Sequence, residues 1–304
     1  MNNKPFVRNN LKIDFSPYGH EIMLSDNVRM ETYSKAIEKH VKKGDIVLDL
    51  GAGTGILSFL AASKKPRKIY ALERSKIIRW AELLAEENNI KNIDFVKIDS
   101  KNFTINEKVD VILQEQIGRF IFDDDMVGLV IDVRDRLLKK GGKILPNKFE
   151  LFIVPVKIKD QFHVPVLWEF KINNIDFSPL KKLYKEPANM YRLISGHELD
   201  YFLCKPEKFC SFDLKKIKNK IPIREFHFKR KTEKTGRLDG FCIYLKVIFD
   251  EKISFTTSPL DRQTHWKTLL LRCESKKYKK GDLIEFELKF NDLLDRRKWE
   301  WVII

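Results

Sequence analysis

The sequence is poor in cysteine and has no long apolar run. Its four cysteines, Cys204, Cys210, Cys242 and Cys273, show no C-x-x-C spacing, so neither a disulfide framework nor a zinc site is expected. No stretch approaches the ~18–20 apolar residues of a membrane span, and the N-terminus lacks the apolar core of a signal peptide. These absences predict a protein without bound metal or membrane contact, in the cytoplasm or, in a eukaryote, also in the nucleus.

Acidic residues are outnumbered by basic ones. The 304 residues include 58 Lys and Arg against 43 Asp and Glu, a formal net charge of +15. Such an excess leaves nucleic acid open as a partner, but the chain contains no RNA-recognition, KH, zinc-finger or helix-turn-helix signature. Solvated loops and strand faces are the simpler explanation of the basic runs.

One stretch organises the chain. The apolar run 46–50, of strand length, ends in Gly51-x-Gly53-x-Gly55, and an apolar segment of helical length follows. Strand, tight glycine loop and helix open a nucleotide-binding α/β unit, because glycine lets the backbone take positive φ and come close to a ligand. A second strand, 68–72, ends at Glu73. An acid about 20 residues past the glycines is placed to accept from both ribose hydroxyls.

The spacing of the glycines helps to distinguish a dinucleotide from other nucleotide-like ligands. A dinucleotide fingerprint needs G-x-G-x-x-G, whereas here the third glycine comes one residue early and Asp49 lies just before the loop. This pattern resembles motif I of the class I S-adenosylmethionine (SAM) methyltransferases, with Glu73 as the ribose acid. The simpler alternative is a glycine loop that only turns the chain.

Strands and helices alternate up to Pro146. Helical spacing starts at Arg29 and closes at Gly44, and further helices are expected over about 75–87 and 125–140. Strands are expected over 46–50, 68–72, 93–98, 109–113 and 143–145. The alternation predicts a parallel sheet.

After Pro146 the pattern changes to short β-rich runs. They cover 150–156, 226–228, 241–249, 269–272, 283–290 and 299–304. No helical segment separates most of them, which predicts a second, mainly antiparallel domain. Residues from about 168 to 193 interrupt this domain and are interpreted as an inserted helical arm.

Three further motifs make a resemblance specific. They are H-x-x-M-L-x-D-x-x-R at 20–29, Glu115-Gln116-Ile117-Gly118 followed by an acidic run at 123–125, and Thr264-His265-Trp266. Together with the glycine loop they resemble the protein arginine methyltransferase family. The matching segments follow in the same order from about residue 15 to the C-terminus.

The resemblance implies an α/β fold, in which a Rossmann-like SAM-binding domain is followed by an antiparallel β-barrel domain with an inserted helical dimerisation arm. The implied boundaries are 1–40 for an N-terminal segment that covers the cofactor, 41–146 for the SAM-binding domain and 147–304 for the barrel, with the arm at about 168–195. The implied protein is a homodimer that transfers a methyl group from SAM to a guanidinium nitrogen of arginine in a protein or peptide.

The resemblance also assigns roles to individual residues. The cofactor-binding positions are Arg29 for the SAM carboxylate, Asp49, Gly51, Gly53, Gly55, Glu73, and Asp99 with Ser100 for the adenine. The catalytic positions are Glu115 and Asp124, which would grip the substrate guanidinium, and an Asp26–His265 pair beside them. The substrate pocket would be lined by His20, Met23, Met126 and Trp266.

Two carboxylates suit this chemistry. SAM carries a sulfonium cation and a guanidinium is also a cation, so bringing them within attack distance requires anionic charge. Carboxylates accept forked hydrogen bonds from a guanidinium and fix its plane, so that a chosen nitrogen meets the methyl group in line. The family's second acid is a glutamate, whereas Asp124 is one methylene shorter. The neighbouring Asp123 and Asp125 leave the register of this acid open by one residue.

Two other functions fit the same residues. A guanidine N-methyltransferase would use the acid pair on free arginine or another small molecule. A SAM-fold scaffold without catalysis would bind a partner through its basic surface, but it would have no need of Glu115. On a purely structural interpretation, Asp124 would favour a helix macrodipole and the two methionines would fill apolar space.

Overall fold

A computed structural model gives the fold. It describes residues 17–118, 125–183, 191–218, 223–293 and 295–304. The helices are α1 (Pro17–Ser25), α2 (Asn27–His40), α3 (Ile56–Ala62), α4 (Ile78–Glu87) and α5 (Met126–Leu137). Within these residues, no helix is long and apolar enough to cross a membrane.

A five-stranded parallel sheet forms the first half of the chain. Its strands are β1 (Ile46–Leu50), β2 (Lys68–Glu73), β3 (Ile93–Lys97), β4 (Val109–Gln114) and β5 (Leu138–Leu145), in the order β3-β2-β1-β4-β5. All neighbouring pairs are parallel, as the alternation of strands and helices predicts. The central strand β1 is buried along its whole length, which is typical of a parallel sheet.

The direction of strand addition reverses at β1. β2 and β3 extend to one side of it, whereas β4 and β5 extend to the other, so a crevice opens at the carboxyl ends of β1 and β4. The glycine loop follows β1, and Glu115 follows β4. The topology therefore brings two distant stretches of sequence to one cleft.

The last parallel strand begins earlier than predicted. We expected a helix to reach residue 140 and a strand over 143–145, but α5 ends at Leu137 and β5 starts directly after it. Gly141 lies inside β5 with a φ of 80°, and the register with β4 shifts between Val109 and Val111. The glycines at 141 and 142 therefore accommodate a bulge in a strand instead of ending a helix.

Antiparallel strands make up most of the second half. The larger sheet contains β6 (Lys148–Ile158), β9 (Tyr191–Ile194), β10 (Leu199–Phe202), β11 (Glu207–Asp213), β13 (Gly236–Ile248), β14 (Ser254–Thr256) and β15 (Thr268–Tyr278). A hairpin pairs β7 (Lys171–Ile172) with β8 (Ile175–Asp176), and the third sheet contains β12 (Glu225–Lys231), β16 (Leu283–Phe290) and β17 (Trp299–Ile303). The predicted antiparallel domain is confirmed, although the sequence did not predict β9, β10, β11 or β14.

The two larger antiparallel sheets face each other across an aromatic core. In the described residues, strand pairing stays within each sheet. Phe241 of β13 and Phe286 of β16 stack with ring centroids 3.9 Å apart, and Phe228 of β12 lies 5.6 Å from Phe241. Because these side chains fill the space between the sheets, the closed barrel of the prediction is corrected to two facing sheets.

The inserted arm is not α-helical where it is described. Between Leu167 and Leu183 the chain forms short 3-10 turns and the hairpin of β7 and β8, while residues 184–190 lie outside the described ranges. Asn173 and Asn174 have φ angles of 48° and 64°, a conformation that turns a hairpin and cannot continue a helix. The predicted end of the arm, 191–194, is β9, which pairs with β15 of the main sheet.

Ionic contacts join α2 to the second half of the chain. Asp250, in the loop after β13, accepts from Lys39 and His40 at 2.7 and 2.5 Å. The Arg262 guanidinium donates twice to Glu31, at 3.0 and 2.9 Å. Helix α2 is therefore tied to the loop that carries His265.

Candidate active site

The glycine loop turns sharply after β1. Gly51, Gly53 and Gly55 have φ angles of 75°, 55° and 87°, a region that residues with a Cβ rarely adopt. The backbone N–H groups of Gly51 and Ala52 donate to the Leu72 carbonyl of β2, at 2.9 and 2.8 Å. The loop is thereby held against the strand that ends in Glu73.

At two of these glycines the absence of a Cβ lets another side chain pack closely on the loop. A Cβ built on Gly53 would lie 3.0 Å from the ring carbon Cε1 of His20, and one on Gly55 would lie 2.7 Å from Phe59 Cζ. Burial lowers the pKa of His20, so its ring is neutral near pH 7. The resemblance assigned His20 to the substrate pocket, whereas in the structure its ring covers the glycine loop.

Acids lie at the ends of β2 and β3. Glu73 is 7% exposed, and its carboxylate accepts from the N–H groups of Gly53 at 3.2 Å and Ser75 at 2.7 Å. Asp99 is exposed and accepts from the Lys101 N–H at 3.0 Å, while the neighbouring Ser100 is buried. These residues line the carboxyl edge of the sheet, where doubly wound folds bind a nucleoside.

Asp49, just before the loop, is almost completely buried. Its Oδ2 accepts from the Ser58 hydroxyl at 2.7 Å, whereas Oδ1 has no hydrogen-bond partner among the described residues. Burial raises the pKa of Asp49 to about 6, although the hydrogen bonds from Ser58 oppose that shift. A buried carboxylate with one free oxygen is suited to a cationic group of a ligand, because an unpaired buried acceptor is costly.

Arg29 and Glu115 form a buried ion pair. Arg29 Nη2 lies 2.8 Å from Glu115 Oε2, and the two side chains are 6% and 8% exposed. Burial opposes the charge on Arg29, but Glu115, together with Tyr33 and Asp26, outweighs burial and raises the pKa of the guanidinium. The resemblance assigned these residues to different ligands, and the structure shows that they are partners.

The free atoms of this ion pair indicate what it can bind. Arg29 Nε has no partner in the described part of the chain, so it can donate to a carboxylate. Glu115 accepts from Arg29 through Oε2, and its second oxygen makes no hydrogen bond with the described residues. The pair therefore links a place for a cofactor carboxylate with a place for a second guanidinium.

The structure brings Asp26 and His265 together. Asp26 Oδ2 lies 2.7 Å from His265 Nδ1 and accepts from the His265 backbone N–H at 2.8 Å. Its Oδ1 caps α2 by accepting from the Arg29 N–H at 3.0 Å. Burial works to raise the pKa of Asp26, but the hydrogen bonds from His265 and Arg29 outweigh burial and lower it. One carboxylate thus positions both the start of α2 and the His265 loop.

The remaining predicted pocket residues have different surroundings. Trp266 Nε1 donates to the Gly118 carbonyl at 2.8 Å, which ties the His265 loop to the segment after β4. Met23 lies beside Arg29, whose Nη1 donates to the Met23 carbonyl at 3.0 Å. Met126 is completely buried in the hydrophobic core, and its role as a lining of the substrate pocket stays a prediction.

The second acid of the pair stays a prediction, because Asp123 and Asp124 lie outside the described residues. Asp125 is described, at the start of α5, with a φ of 50°. A Cβ built on Gly128 would lie 2.7 Å from both carboxylate oxygens of Asp125. This carboxylate faces its own helix, which favours Asp124 or Asp123 as the partner of Glu115.

One residue of the cleft had no role in the sequence prediction. Gln116 follows Glu115, and a Cβ built on Gly51 would lie 2.4 Å from its Nε2. The Gln116 Oε1 is buried without a partner within the described ranges. Its position directly after Glu115 was the available signal, but a glutamine in a loop predicts no particular contact.

The polar groups of the cleft fit the amino-acid end of SAM. Four buried atoms near the glycine loop have no hydrogen-bond partner among the residues described: His20 Nε2, Arg29 Nε, Asp49 Oδ1 and Gln116 Oε1. A guanidinium N–H can only donate, and carboxylate and amide oxygens can only accept. A ligand with both a carboxylate and an ammonium group satisfies both kinds, and SAM has both.

Comparisons with known sequences agree with this site. The profile described as the arginine methyltransferase oligomerization subdomain matches residues 147–299, and a methyltransferase-domain profile matches 41–200. Protein arginine N-methyltransferase 6 of Danio rerio is 31% identical over 269 residues, covering 83% of this chain and 75% of that protein. Protein arginine N-methyltransferase 1 of Caenorhabditis elegans is 29% identical, covering 90% and 81%.

Solved structures share the fold. The Trypanosoma brucei PRMT1 enzyme-prozyme heterotetrameric complex with AdoHcy has a TM-score of 0.80 at 24% identity, over 93% of this chain and 92% of that one. Arabidopsis thaliana protein arginine methyltransferase 10 has a TM-score of 0.76 at 25% identity, over 94% and 91%.

The parallel sheet, the G-x-G-x-G loop and the acid after β2 define a class I SAM-dependent methyltransferase. Within that class, the chain belongs to the protein arginine N-methyltransferase family. The predicted two-domain fold, the SAM cofactor and methyl transfer to arginine in proteins are confirmed at the level of the family.

We expect the affinity for cofactor to depend on the protonation of Asp49. With a pKa of about 6, Asp49 becomes protonated below that pH, and only its carboxylate attracts an ammonium group. Affinity should therefore weaken by about tenfold per pH unit below the pKa and level off above it. Calorimetric titration with S-adenosylhomocysteine between pH 5 and pH 8 measures this. The Asp49→Asn variant should flatten the profile, and an unchanged slope in that variant would contradict the assignment.

Proposed function

We propose that this chain methylates arginine side chains of protein substrates, with Glu115 receiving the guanidinium and Arg29 linking it to the cofactor. The observation that carries these roles is the buried ion pair, in which Glu115 already binds a guanidinium at 2.8 Å. Glu115 directly follows β4, beside the strand that leads into the glycine loop. A carboxylate at that point lies where acceptor and cofactor meet in a doubly wound fold.

SAM supplies the methyl group, as a sulfonium cation, when it is bound. The Glu115 carboxylate offsets the repulsion between that cation and the incoming guanidinium, and it holds the guanidinium plane. Asp124, outside the described residues, is proposed as the second acid. The Asp26–His265 pair positions the loop at the side of the site through its two hydrogen bonds.

Transfer of labelled methyl from SAM to a cell extract tests this function. After the reaction, the extract is separated into protein and small-molecule fractions, and the protein is hydrolysed to amino acids. We expect label in methylarginine from protein. Label only in free arginine or another small guanidine would replace the protein substrate with a small molecule. No incorporation by a chain that binds SAM would indicate a scaffold.

We further propose a homodimer formed through the arm. Its described part exposes Ile175 and Leu183, at 62% and 77%. A second exposed apolar group lies on α4, where Trp80 and Leu83 are 44% and 56% exposed. Two apolar surfaces on one chain suit a symmetric contact in which each arm covers α4 of the other copy. The match to an oligomerization subdomain supports this arrangement.

Charged residues on the arm should separate the dimer. In the double variant Ile175→Asp with Leu183→Asp, carboxylates replace the apolar contacts, and we expect a monomer at micromolar concentration in sedimentation velocity. The control is Val302→Asp, because Val302 is also exposed, at 53%, but lies on β17. A wild-type monomer, or an arm variant that stays dimeric, would count against the proposal.

We also propose a cytoplasmic location. All four cysteines are free thiols, which suits a reducing compartment. Burial raises the pKa of Cys204 to about 12 and that of Cys210 to about 11, so these thiols have little thiolate to oxidise. Cell fractionation of the tagged chain tests this, and recovery with secreted proteins would contradict it.

A further inference from the structure

The Gln116 side chain packs on the backbone of the glycine loop. A Cβ built on Gly51 would lie 2.4 Å from Gln116 Nε2 and 3.2 Å from its Cδ. Gly51 has a φ of 75° and donates its N–H to Leu72, so the loop is held in this conformation from the β2 side. The contact exists because residue 51 has no side chain, and it brings an amide from the end of β4 to the end of β1.

A second glutamine holds Gln116 in place. The fully buried Gln114 accepts from the Gln116 N–H at 3.4 Å and donates from its own amide to the Pro146 carbonyl at 3.3 Å. The Tyr33 hydroxyl donates to the Gln114 carbonyl at 3.0 Å. The backbone that carries Gln116 is therefore held by contacts from α2 and from the start of the second half of the chain.

The Gln116 Oε1 is a buried acceptor without a partner among the described residues. Leaving such a group unpaired costs free energy, so a ligand that donates to it gains affinity. Asp49 Oδ1, two residues before Gly51, is a second buried acceptor without a partner in the described ranges. Two buried acceptors, one on Gln116 packed against Gly51 and one on Asp49 two residues before it, match an ammonium group, which has three N–H donors.

We propose that Gln116 is a cofactor-binding residue whose Oε1 accepts a hydrogen bond from the α-ammonium group of SAM, together with Asp49. Arg29 Nε, a buried donor without a partner among the described residues, takes the α-carboxylate. This proposal rests on SAM as the cofactor and adds a contact that neither the glycine pattern nor the acid pair predicts.

Because Gln116 adjoins Glu115, this contact also affects the part of the site that receives the substrate guanidinium. Gln116 and Glu115 are adjacent in the chain, and Glu115 is bonded to Arg29 at 2.8 Å. When the α-ammonium and α-carboxylate groups of SAM bind Gln116 and Arg29, they therefore hold the segment around Glu115 at two points. Cofactor binding thereby further stabilises the segment that carries the acid.

Three ligands test the contact by calorimetry. They are S-adenosylhomocysteine, its analogue without the α-amino group, and 5′-methylthioadenosine, which lacks the amino-acid end. The Gln116→Leu variant keeps the approximate size of the side chain and removes the acceptor. Because a hydrogen bond to a charged group is involved, S-adenosylhomocysteine should bind about 10- to 100-fold more weakly. The other two ligands should bind as they do to the wild type.

Two further variants keep the test decisive. Gln161→Leu is the matched control, since Gln161 is exposed in a short turn of the second half, and all three affinities should stay at wild-type values. Gln116→Glu keeps an acceptor and adds a charge, so it should bind S-adenosylhomocysteine at least as tightly as the wild type. It decides the question if Gln116→Leu does not fold.

The outcomes separate this inference from the cofactor assignment. Equal weakening of all three ligands in Gln116→Leu would mean that Gln116 only supports the loop, and this would overturn the proposal. Unchanged affinity for S-adenosylhomocysteine in that variant, or weaker binding in Gln116→Glu, would overturn it as well. Failure of the wild type to bind S-adenosylhomocysteine would instead refute the cofactor.

Discussion

Glu115→Gln should lower the rate of methyl transfer by about 10²–10³-fold, the loss expected when one preorganised electrostatic group is removed. Glutamine keeps the size of the side chain but loses the charge that offsets two cations. The affinity for SAM should hold, because Arg29 reaches Glu115 through Nη2 and keeps Nε for the cofactor. Single-turnover kinetics on an arginine peptide, combined with calorimetry, separate the two effects.

The control for this prediction lies at the other end of β4. Glu107 stands just before the strand and is bonded to Arg67 and Tyr70, so Glu107→Gln should leave methyl transfer at the wild-type rate. The assignment of Glu115 is wrong if Glu115→Gln turns over arginine peptides as fast as the wild type.

Substitutions over the acidic run locate the second acid. Asp124→Asn should slow transfer, and Asp124→Glu should hold or raise it, since the added methylene restores the reach of the family's glutamate. Asp125→Asn should have a mild effect, because the Asp125 carboxylate lies against Gly128 of its own helix. If Asp123→Asn is the sensitive variant, the role moves by one residue.

Gly53→Val should abolish SAM binding. The φ of 55° at Gly53 is strained for a β-branched residue, and a Cβ there would already lie 3.0 Å from His20. The two methyl groups of valine would collide with the His20 ring, which covers the loop, and would displace it toward the cleft where the cofactor binds. Calorimetry on the folded variant measures this, and unchanged affinity would refute the role of the loop.

Alanine variants separate the loss of space from backbone strain. Gly141 has a φ of 80°, but a Cβ there meets nothing within 4 Å. Gly141→Ala should therefore lower stability through strain alone and leave SAM affinity unchanged, whereas Gly53→Ala should weaken binding. Equal affinities in the two variants would mean that crowding above Gly53, where His20 lies, does not affect cofactor binding.

The sequence by itself determined the local elements of this protein. A glycine loop between a strand and a helix and the parallel alternation up to Pro146 followed from short patterns and their order. The Asp26–His265 pair was instead implied by the resemblance to the arginine methyltransferase family. Such patterns are readable because positive φ at Gly51 and the spacing of apolar side chains depend on neighbouring residues. The inserted arm shows the limit, since Asn173 and Asn174 turn a hairpin where the broader pattern indicated a helix.

The tertiary structure decided which other distant residues meet. Arg29 and Glu115 are 86 positions apart. They pair because β4, which Glu115 follows, lies directly beside β1, and because the first turn of α2, which contains Arg29, lies at the same cleft. Gln116 reaches Gly51 for the same reason, and Met126, the first residue of α5, is completely buried. These contacts depend on how strands and helices pack against each other. That packing involves the whole chain, so local sequence patterns cannot predict it.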